Sequence, residues 1–393
     1  MKVLYTSVYR DGTGYAAAAI ETIRACEAAG LDVVCRPITL SPPAGFDQAR
    51  RVRHLEAKDL RNVEVVIQHC LPNAFEHKGG VRNVGLFHWE TTSFRRAGWA
   101  QSCNLMDEVW TSCVQSRQAA IDSGVSVPIR VIPCACDVSR FEQPGNPLVI
   151  PEARNRCVFY TIGELSRRKN VVGLIRAYYA AFQRGEDVAL ILKLNVPGQN
   201  KEAVFDKAQM IINEIRGSLG LHHDPKRYPP VICITDRLSG ETLDRLHQLG
   251  DVFVLPSRGE SWCVPCHDAM GFGNPAIVSN WGSFPELMYP QAVRYFDRER
   301  RVFKYPGQIA TGWLTHGQLT FAFSREDGGN TLYSGDESWF EPDLPQLAAQ
   351  LVEAHDEWRD GSLKQRGDAA RSRAPEFSHE HVGRMIADTL LEG

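Results

Sequence analysis

Two acidic residues flank a predicted helix start within the segment Asp251–Leu287. Glu260 follows a strand-like run, Asp251–Pro256, and Asp268 lies eight residues after Glu260, inside a predicted helix, Pro265–Gly271. The first backbone N–H groups of a helix lack partners within the helix, so a helix start attracts anions. Here those groups belong to Trp262, Cys263 and Val264. This spacing predicts two carboxylates that flank a ligand whose phosphate groups rest on the helix N-terminus.

A second candidate is the basic loop within Thr161–Tyr178, which joins a strand end at Gly163 to an amphipathic helix. The loop carries three consecutive cations, Arg167, Arg168 and Lys169. Lysine binds phosphate as a mobile point charge, whereas arginine binds it as a two-pronged fork. The loop therefore predicts a diphosphate clamp centred on Lys169, and which arginine contributes stays open. Solvated surface charges are the alternative interpretation.

The first loop of the chain is rich in glycine, with Gly12 and Gly14 between a predicted strand and a predicted helix. Glycine lets a ligand approach the backbone closely, and the helix start that follows favours anionic groups. The third position of a dinucleotide-binding fingerprint is occupied by Ala17, which argues against a nicotinamide or flavin cofactor.

A fourth candidate is the run Asn83–Trp99, which contains His88, Trp89 and Glu90. His88 falls at the predicted end of a strand, where a histidine either satisfies a sheet edge or faces a ligand. Trp89 and Trp99 are the aromatic residues that could stack on a sugar ring, although a place in the core is the simpler interpretation of each.

Elements that would position these residues alternate between short apolar strands and helices along the whole chain. Strands that are continuous Val/Ile/Leu runs are buried on both faces, which predicts parallel sheets covered by helices. A proline-rich stretch, Glu142–Asn155, separates two such series. The pattern predicts an α/β protein with two doubly wound, Rossmann-like domains. Ligands of such folds bind at the carboxyl ends of the strands, so we expect the chemistry in the loops that follow them.

Composition narrows the classes of function. The 393 residues include 43% hydrophobic and 23% charged residues with a net charge of −3, which is ordinary for a globular protein and weakens a nucleic-acid-binding interpretation. No apolar run reaches the roughly 18 residues that a membrane-spanning helix needs. The 11 scattered cysteines and the absence of a visible secretory signal favour reduced thiols in a cytoplasmic protein.

The segment Asp251–Leu287 resembles the signature of retaining nucleotide-sugar glycosyltransferases of family 4, which have the GT-B fold. The matching positions are Pro256-Ser257, Glu260, Pro265, Asp268, Ala269-Met270, Gly273, Pro275 and Ile277-Val278. The chain departs from the family pattern in three places: Asp268 replaces a Glu, Ser261-Trp262-Cys263 replaces Gly-Phe-Gly, and, in the basic loop, Glu164 replaces a diphosphate-binding Arg. The resemblance covers residues 1–283 well and the remainder loosely.

The resemblance implies two Rossmann-like domains that face each other across a cleft. It assigns residues 1–145, joined by the closing helix 376–393, to the acceptor side and residues 146–375 to the nucleotide sugar. Glu260, His88 and Lys169 become the implied catalytic residues. Binding of the donor is assigned to Gly12, Gly14, Arg167, Arg168, Trp262, Cys263, Val264 and Asp268. Glu90 and Trp89 fall on the acceptor side, and the Glu that Asp268 replaces holds the ribose in the family.

The predicted function is a hexosyltransferase reaction that moves a sugar from a UDP- or GDP-linked donor to an acceptor hydroxyl with retention, without a metal or other cofactor. The acceptor is a glycan, a lipid-linked glycan or another hydroxyl compound, and a peripheral contact with a membrane is compatible with it. One alternative, the same transfer to a modified base in DNA, uses the basic segment Arg50–Arg61. Others are a non-catalytic sugar-nucleotide binder, an epimerase of the same fold, and a redox role for Cys263, since a helix start lowers a thiol pKa.

Overall fold

The computed structural model describes residues 1–11, 13–39, 48–143, 145–221, 224, 227–304, 309–322, 333 and 335–392. In these residues the strands are β1 (Lys2–Ser7), β2 (Asp32–Pro37), β3 (Val65–His69), β4 (Arg82–Leu86), β5 (Glu108–Thr111), β6 (Ile129–Val131), β7 (Cys157–Glu164), β8 (Val188–Asn195), β9 (Val231–Ile234), β10 (Val252–Leu255), β11 (Ala276–Ser279), β12 (Phe296–Asp297), β13 (Val302–Phe303), β14 (Gly312–Thr315), β15 (Gly317–Phe321) and β16 (Ser338–Pro342). The helices are α1 (Gly14–Ala28), α2 (Trp99–Cys103), α3 (Val114–Asp122), α4 (Val171–Ala181), α5 (Lys201–Leu219), α6 (Gly240–Leu249), α7 (Val264–Gly271), α8 (Phe284–Met288), α9 (Leu344–Asp360), α10 (Leu363–Arg373) and α11 (His379–Glu392).

The chain divides into two compact units, each built around its own parallel sheet. Unit 1 comprises Met1–Ser139, Arg298–Arg301 and Ala374–Gly393, and unit 2 comprises Arg140–Asp297 and Val302–Arg373. Unit 1 has the strand order β2-β1-β3-β4-β5-β6, and unit 2 has the order β14-β11-β10-β7-β8-β9. Every pairing in these two six-stranded sheets is parallel. The predicted α/β class with two doubly wound sheets is confirmed.

Buried apolar side chains on both sides of each sheet explain why these strands form. In unit 1 they include Tyr5, Ile67 and Trp110 on the strands. In unit 2 the buried set includes Phe159 and Leu190 on the strands, packed with residues of the covering helices. Because both faces are covered by helices, the strands are continuous apolar runs without alternation. This is the pattern from which the sheets were predicted.

The last helix of the chain, α11, packs against α1 within unit 1. Gly383 makes this close approach possible, because a Cβ atom there would meet the backbone oxygen of Ala25. His379 Nε2 lies 2.6 Å from Glu21 Oε2, and Arg82 donates a hydrogen bond of 2.8 Å to the Leu390 carbonyl. These contacts fix both ends of α11, so the closing helix is an integral part of unit 1.

Two sequence predictions for the remaining elements are corrected. Helix α10 was not predicted at all, although it is eleven residues long. The predicted strand Asn83–Trp89 ends earlier, at Leu86, so that His88 lies in the loop beyond β4. The prediction of mixed loops and short strands over Tyr289–Glu341 agrees with β12 to β16 where the structure describes that region. Residues 305–308, 323–332 and 334 lie outside the described residues.

Replacing Gly383 by Ala should lower the free energy of unfolding by about 1–3 kcal/mol, because the added methyl group forces α11 away from α1. Gly217→Ala is the matched control, since this helical glycine in α5 has nothing within 4 Å of an added Cβ. Because alanine has a higher helix propensity than glycine, Gly217→Ala should raise the free energy of unfolding by about 1 kcal/mol. Urea unfolding measures both changes, and equal effects of the two variants would contradict the packing described.

Candidate active site

The loops that follow β7 and β10 lie side by side, because these two strands are neighbours in the sheet of unit 2. The strand order reverses direction at this pair: the chain continues outward through β8 and β9 on one side and through β11 on the other. Such a switch point opens a crevice at the carboxyl ends of the strands, which is where ligands of doubly wound sheets bind. The basic loop and the acidic loop predicted from the sequence therefore meet at this edge.

Backbone and side-chain hydrogen bonds join the two loops into one structure. The Arg258 N–H donates to the Arg168 carbonyl at 2.7 Å, and the Ser257 hydroxyl lies 2.9 Å from the Gly259 carbonyl that it donates to. The Asn170 side-chain amide donates to the Pro256 carbonyl at 3.1 Å. Buried polar groups with satisfied hydrogen bonds hold a single geometry. The two loops thus form a rigid platform for the side chains that they carry.

Asn170 ends the basic loop and starts α4. Its backbone is left-handed, with φ of 55°, and its side-chain oxygen accepts a hydrogen bond from the Gly173 N–H at 3.3 Å. Asparagine tolerates the left-handed region better than most residues and is a favoured helix cap. This turn directs Lys169, the preceding residue, back toward the β10 loop.

Lys169 and Glu260 form an ion pair at the centre of the platform. Glu260 is 6% exposed, and the Lys169 side chain is 13% exposed. A second cation, Arg168, lies 3.7 Å from Glu260 Oε2 and donates to the Gly259 carbonyl at 2.7 Å. The predicted clamp cation and the first predicted acid are therefore in direct contact. Their catalytic roles stay predictions.

Arg258, which the sequence analysis did not name, braces the basic loop. It donates to the Arg167 carbonyl at 2.5 Å and forms a two-pronged ion pair with Glu341 of β16, with distances of 2.5 and 2.9 Å. Phe340 of the same strand donates its N–H to the Arg258 carbonyl. In the sequence, the only indication of this role was that Arg258 lies two residues before Glu260. Arg167 and Arg168, half-buried beside it, are held near the site through their backbones.

The backbone of Glu260 is fixed by the turn after β11. Ser283 donates its N–H to the Glu260 carbonyl at 3.0 Å. The preceding residue, Gly282, has φ of +66°, and a Cβ atom there would collide with the same carbonyl oxygen. Glycine is therefore required twice at this position, for its conformation and for its size.

Helix α7 begins one residue earlier than predicted, at Val264, with Cys263 as its cap and Pro265 in the first turn. Trp262 and Val264 are half-buried, whereas Cys263 is buried. Burial raises the pKa of the Cys263 thiol to about 12, and the nearby Glu260 charge adds to this effect. The expected lowering of this pKa was wrong, and a reactive thiolate at this helix start is not supported.

Asp268 is bound by a cation that the sequence did not reveal. Arg140 lies 3.2 Å from Asp268 Oδ2 and also forms an ion pair with Asp244. Burial alone would raise the pKa of Asp268, but the charge and hydrogen bond of Arg140 together with the neighbouring His247 and His267 outweigh it, so the pKa is lowered. Arg140 precedes Asp268 by 128 residues. No short motif could have connected them, and ribose binding by Asp268 remains a prediction.

In unit 1, the glycine-rich first loop is described only in part. Gly12 lies outside the described residues. Gly14 is the first residue of α1, whose cap is Thr13: the Thr13 hydroxyl oxygen accepts a hydrogen bond from the Ala16 N–H at 3.2 Å. A Cβ atom on Gly14 would have nothing within 4 Å, so its surface is open.

The residues around the end of β4 separate into a polar group and a core group. His88 is half-buried, and its two ring nitrogens lie 3.0 Å from His69 Nε2 and 3.1 Å from Ser112 Oγ. Glu90 is also half-buried. Trp89 is 1% exposed, stacks edge-on against Trp99 and donates its indole N–H to a backbone carbonyl at 3.0 Å. This burial agrees with the core interpretation of Trp89, and its assignment to the acceptor side stays a prediction.

The basic segment Arg50–Arg61 is largely neutralised by ion pairs within unit 1. Arg51 contacts Glu21 and Asp137, Lys58 contacts Asp32, and Arg61 contacts Asp59. The acidic partners reduce the net positive charge that this segment presents to a phosphate backbone. In the described part of the chain, no helix combines the length and apolar character needed to cross a membrane.

Comparison with known proteins defines the class of this fold. Sucrose-phosphate synthase from Thermosynechococcus elongatus superimposes with a TM-score of 0.63 at 15% identity, covering 100% of this chain and 98% of that chain. Anabaena HepE in complex with UDP superimposes with a TM-score of 0.62 at 13% identity, and the match covers 100% of both chains. A structure described as trehalose-6-phosphate from E. coli bound with UDP-2-fluoro glucose gives 0.65 at 11% identity and 99% of both chains. The chain has the GT-B fold.

Residues 156–296 match the family described as glycosyl transferases group 1. This segment contains Lys169, Glu260 and Asp268, and with the fold it confirms the predicted resemblance to a GT-B glycosyltransferase. No curated protein sequence matches the chain.

Gly282→Ala should displace Glu260 and abolish ligand binding at the platform, because the new methyl group meets the Glu260 carbonyl. Gly198→Ala is the matched control, since Gly198 has φ of +76° and nothing within 4 Å of an added Cβ. In the control, the free energy of unfolding should fall only by the roughly 1–2 kcal/mol that an alanine in the left-handed region costs. Urea unfolding and nucleotide binding of both variants separate the two effects. Equal losses in both would contradict a special role for Gly282.

The histidine His88 should make unit 1 less stable in acid. Burial lowers the pKa of His88 to about 4, whereas an unfolded histidine titrates near 6.5. Between about pH 6.5 and 4 the unfolded chain therefore binds a proton that the folded protein does not, so stability falls as the pH falls. The loss attributable to His88 should reach up to about 3 kcal/mol at pH 4. Unfolding midpoints from pH 8 to 4.5 measure it, and a His88→Gln variant with an unchanged slope would refute it.

Proposed function

We propose that this protein is a retaining glycosyltransferase that moves a hexose from a nucleotide diphosphate to an acceptor hydroxyl. The observation that carries the proposal is the ion pair of Lys169 and Glu260, with Arg168 beside it, at the switch point of unit 2. These residues lie in the segment that matches glycosyl transferases group 1. A cationic group and a buried carboxylate on a rigid platform are what a sugar linked to a diphosphate requires.

The chemical difficulty of the transfer is the negative charge that develops on the departing nucleotide diphosphate. Donors fixed in place before the reaction stabilise such charge without reorganising. In this proposal Lys169 and Arg168 bind the diphosphate, and the N-terminal N–H groups of α7 add to the positive potential. Glu260 then orients the sugar and stabilises its developing cationic character. Lys169 lies between the diphosphate and Glu260 in this proposal, because it already contacts Glu260 in the protein without a ligand.

Asp268 has a modified role in this proposal. A ribose hydroxyl that reaches its carboxylate would have to share it with Arg140, which contacts both of its oxygens. Aspartate is also one methylene shorter than the glutamate usual in the resembling family. We propose that Arg140 and Asp268 together form the ribose side of the site, with Asp244 holding the guanidinium in place.

A uridine nucleotide is the donor to test first. The structure of Anabaena HepE is a complex with UDP, and the E. coli structure is bound with UDP-2-fluoro glucose. GDP-linked sugars are the second choice. The acceptor is proposed to be a hydroxyl of a glycan or lipid-linked glycan. The sequence resemblance assigns Glu90 of unit 1 to its side, and we propose that His88 acts in the reaction, as the resemblance implies.

A non-catalytic sugar-nucleotide binder is the second candidate. The observation that favours it is the engagement of Asp268 by Arg140, which occupies the carboxylate that the resembling family uses for ribose. Binding without turnover distinguishes this candidate from an enzyme.

Lys169→Ala should abolish thermal stabilisation of the protein by UDP and UDP-linked hexoses. A ligand at 100 times its dissociation constant stabilises wild type by about 2.7 kcal/mol, which visibly raises the melting temperature. Lys304→Ala is the control, because Lys304 pairs with Asp297 elsewhere in unit 2 and should leave the stabilisation intact.

Release of UDP, measured with and without an acceptor mixture, completes the test. Turnover that is lost in Lys169→Ala and Glu260→Gln but kept in Lys304→Ala supports a transferase. Stabilisation by a nucleotide sugar without any release of UDP favours the binder. An absence of stabilisation by every UDP- and GDP-linked sugar would overturn the proposal.

A further inference from the structure

A row of polar side chains crosses the sheet of unit 1 near the carboxyl ends of four adjacent strands. Tyr5 belongs to β1, His69 ends β3, His88 follows β4 and Ser112 follows β5. These strands are consecutive in the sheet, in the order β1-β3-β4-β5. Each strand thus contributes one member, in spatial order. We call this set the polar row.

Hydrogen bonds connect every neighbouring pair in the polar row. The Tyr5 hydroxyl lies 2.7 Å from His69 Nδ1, His69 Nε2 lies 3.0 Å from His88 Nε2, and His88 Nδ1 lies 3.1 Å from Ser112 Oγ. Tyr5, His69 and Ser112 are completely buried, so His88 is the member that reaches solvent.

The row leaves His88 little freedom. A neutral imidazole carries one N–H group and one lone pair, so the bond between the two Nε2 atoms needs one ring as donor and the other as acceptor. Two arrangements satisfy all three bonds: every hydrogen points toward Tyr5, or every hydrogen points toward Ser112. The tautomer of His88 is therefore determined by that of His69, and both nitrogens of His88 are held by the protein.

Packing keeps the pair of imidazoles in place and uncharged. The Tyr15 ring of α1 lies over both, with ring centroids 4.9 Å from each. Burial, reinforced by the neighbouring His88, lowers the pKa of His69 well below its usual range. The bond between the two Nε2 atoms also needs a lone pair on one of them, so the two rings cannot both carry a second proton while this bond is kept.

We propose that His69 is a positioning residue for sugar transfer, which acts by fixing the ring orientation and tautomer of His88 through the polar row. The proposal rests on the proposed function, in which His88 acts in the reaction. A buried histidine beside a half-buried one is costly to desolvate, and an apolar pair would fill the same space without that cost. The polar row offsets this cost by fixing the imidazole of His88 at the carboxyl edge of the sheet.

The test uses the chain of 393 residues with three substitutions in the polar row, one control and one variant for assignment. His69→Phe keeps a ring and removes both nitrogens, Tyr5→Phe removes the bond to His69 Nδ1, and Ser112→Ala removes the bond to His88 Nδ1. Tyr160→Phe is the matched control, because the Tyr160 hydroxyl lies 2.8 Å from His247 Nδ1 in a similar buried pair of unit 2. The readouts are ¹⁵N shifts of the histidine rings, assigned to His88 with His88→Gln, and the kcat and KM of sugar transfer.

We expect His69→Phe to change the ¹⁵N shifts of His88 and to lower kcat by about 10- to 100-fold, the range that loss of orientation produces, with KM for the donor within about twofold. Tyr5→Phe and Ser112→Ala should give smaller losses of kcat, and Tyr160→Phe should leave both readouts at wild-type values.

Unchanged ¹⁵N shifts in His69→Phe overturn the proposal, as does a changed tautomer of His88 with an unchanged kcat. If wild type transfers no sugar, the proposed function falls and this role in catalysis falls with it, while the ¹⁵N shifts still report whether His69 holds His88. If His69→Phe fails to fold, Tyr5→Phe decides by the same criteria.

Discussion

The ion pair between Lys169 and Glu260 is the interaction on which the rest of unit 2 depends. A carboxylate that is 6% exposed is expensive to bury without a cation, and removing one partner of a buried pair leaves the other uncompensated. The surrounding structure serves to keep the two charges together. Asn170 turns the chain at one loop, Gly282 supports the other, and Arg258 joins them to β16. A ligand that brings its own negative charge can therefore exchange partners with Lys169 at little cost in geometry.

The two units use the same sheet architecture for different purposes. In unit 2 the carboxyl ends of the strands carry charged side chains on hydrogen-bonded loops. In unit 1 the corresponding ends carry neutral aromatic and hydroxyl groups, which hydrogen-bond to one another across the strands. Charged groups suit the binding of phosphate, whereas a neutral row provides orientation without attracting anions. Under the proposed function, this division suits the binding of an anionic donor by unit 2.

Much of this arrangement could be predicted from the sequence, because it follows from local patterns. Apolar runs identified the parallel strands, and the rule that ligands bind beyond strand ends placed Lys169 and Glu260 together although they are 91 residues apart. Contacts without a local pattern were missed. Arg140 and His69 belong to no motif, and their partners are known only once the chain is folded. Helix α10 has few apolar residues and a central Gly367, which is needed because a Cβ there would meet the backbone oxygen of Gly273.

The place of α11 in unit 1 has a consequence for biosynthesis. Unit 1 begins with the first residue and is completed only by the last twenty, after all of unit 2 has been made. While the ribosome synthesises residues 140–373, the face of α1 that α11 covers is uncovered, and the core cluster of unit 1 lacks Val382 and Ile386 of α11. Unit 2 can acquire its core during this interval, whereas unit 1 stays open. The nascent chain is therefore exposed to aggregation through α1 for longer than its size alone would require.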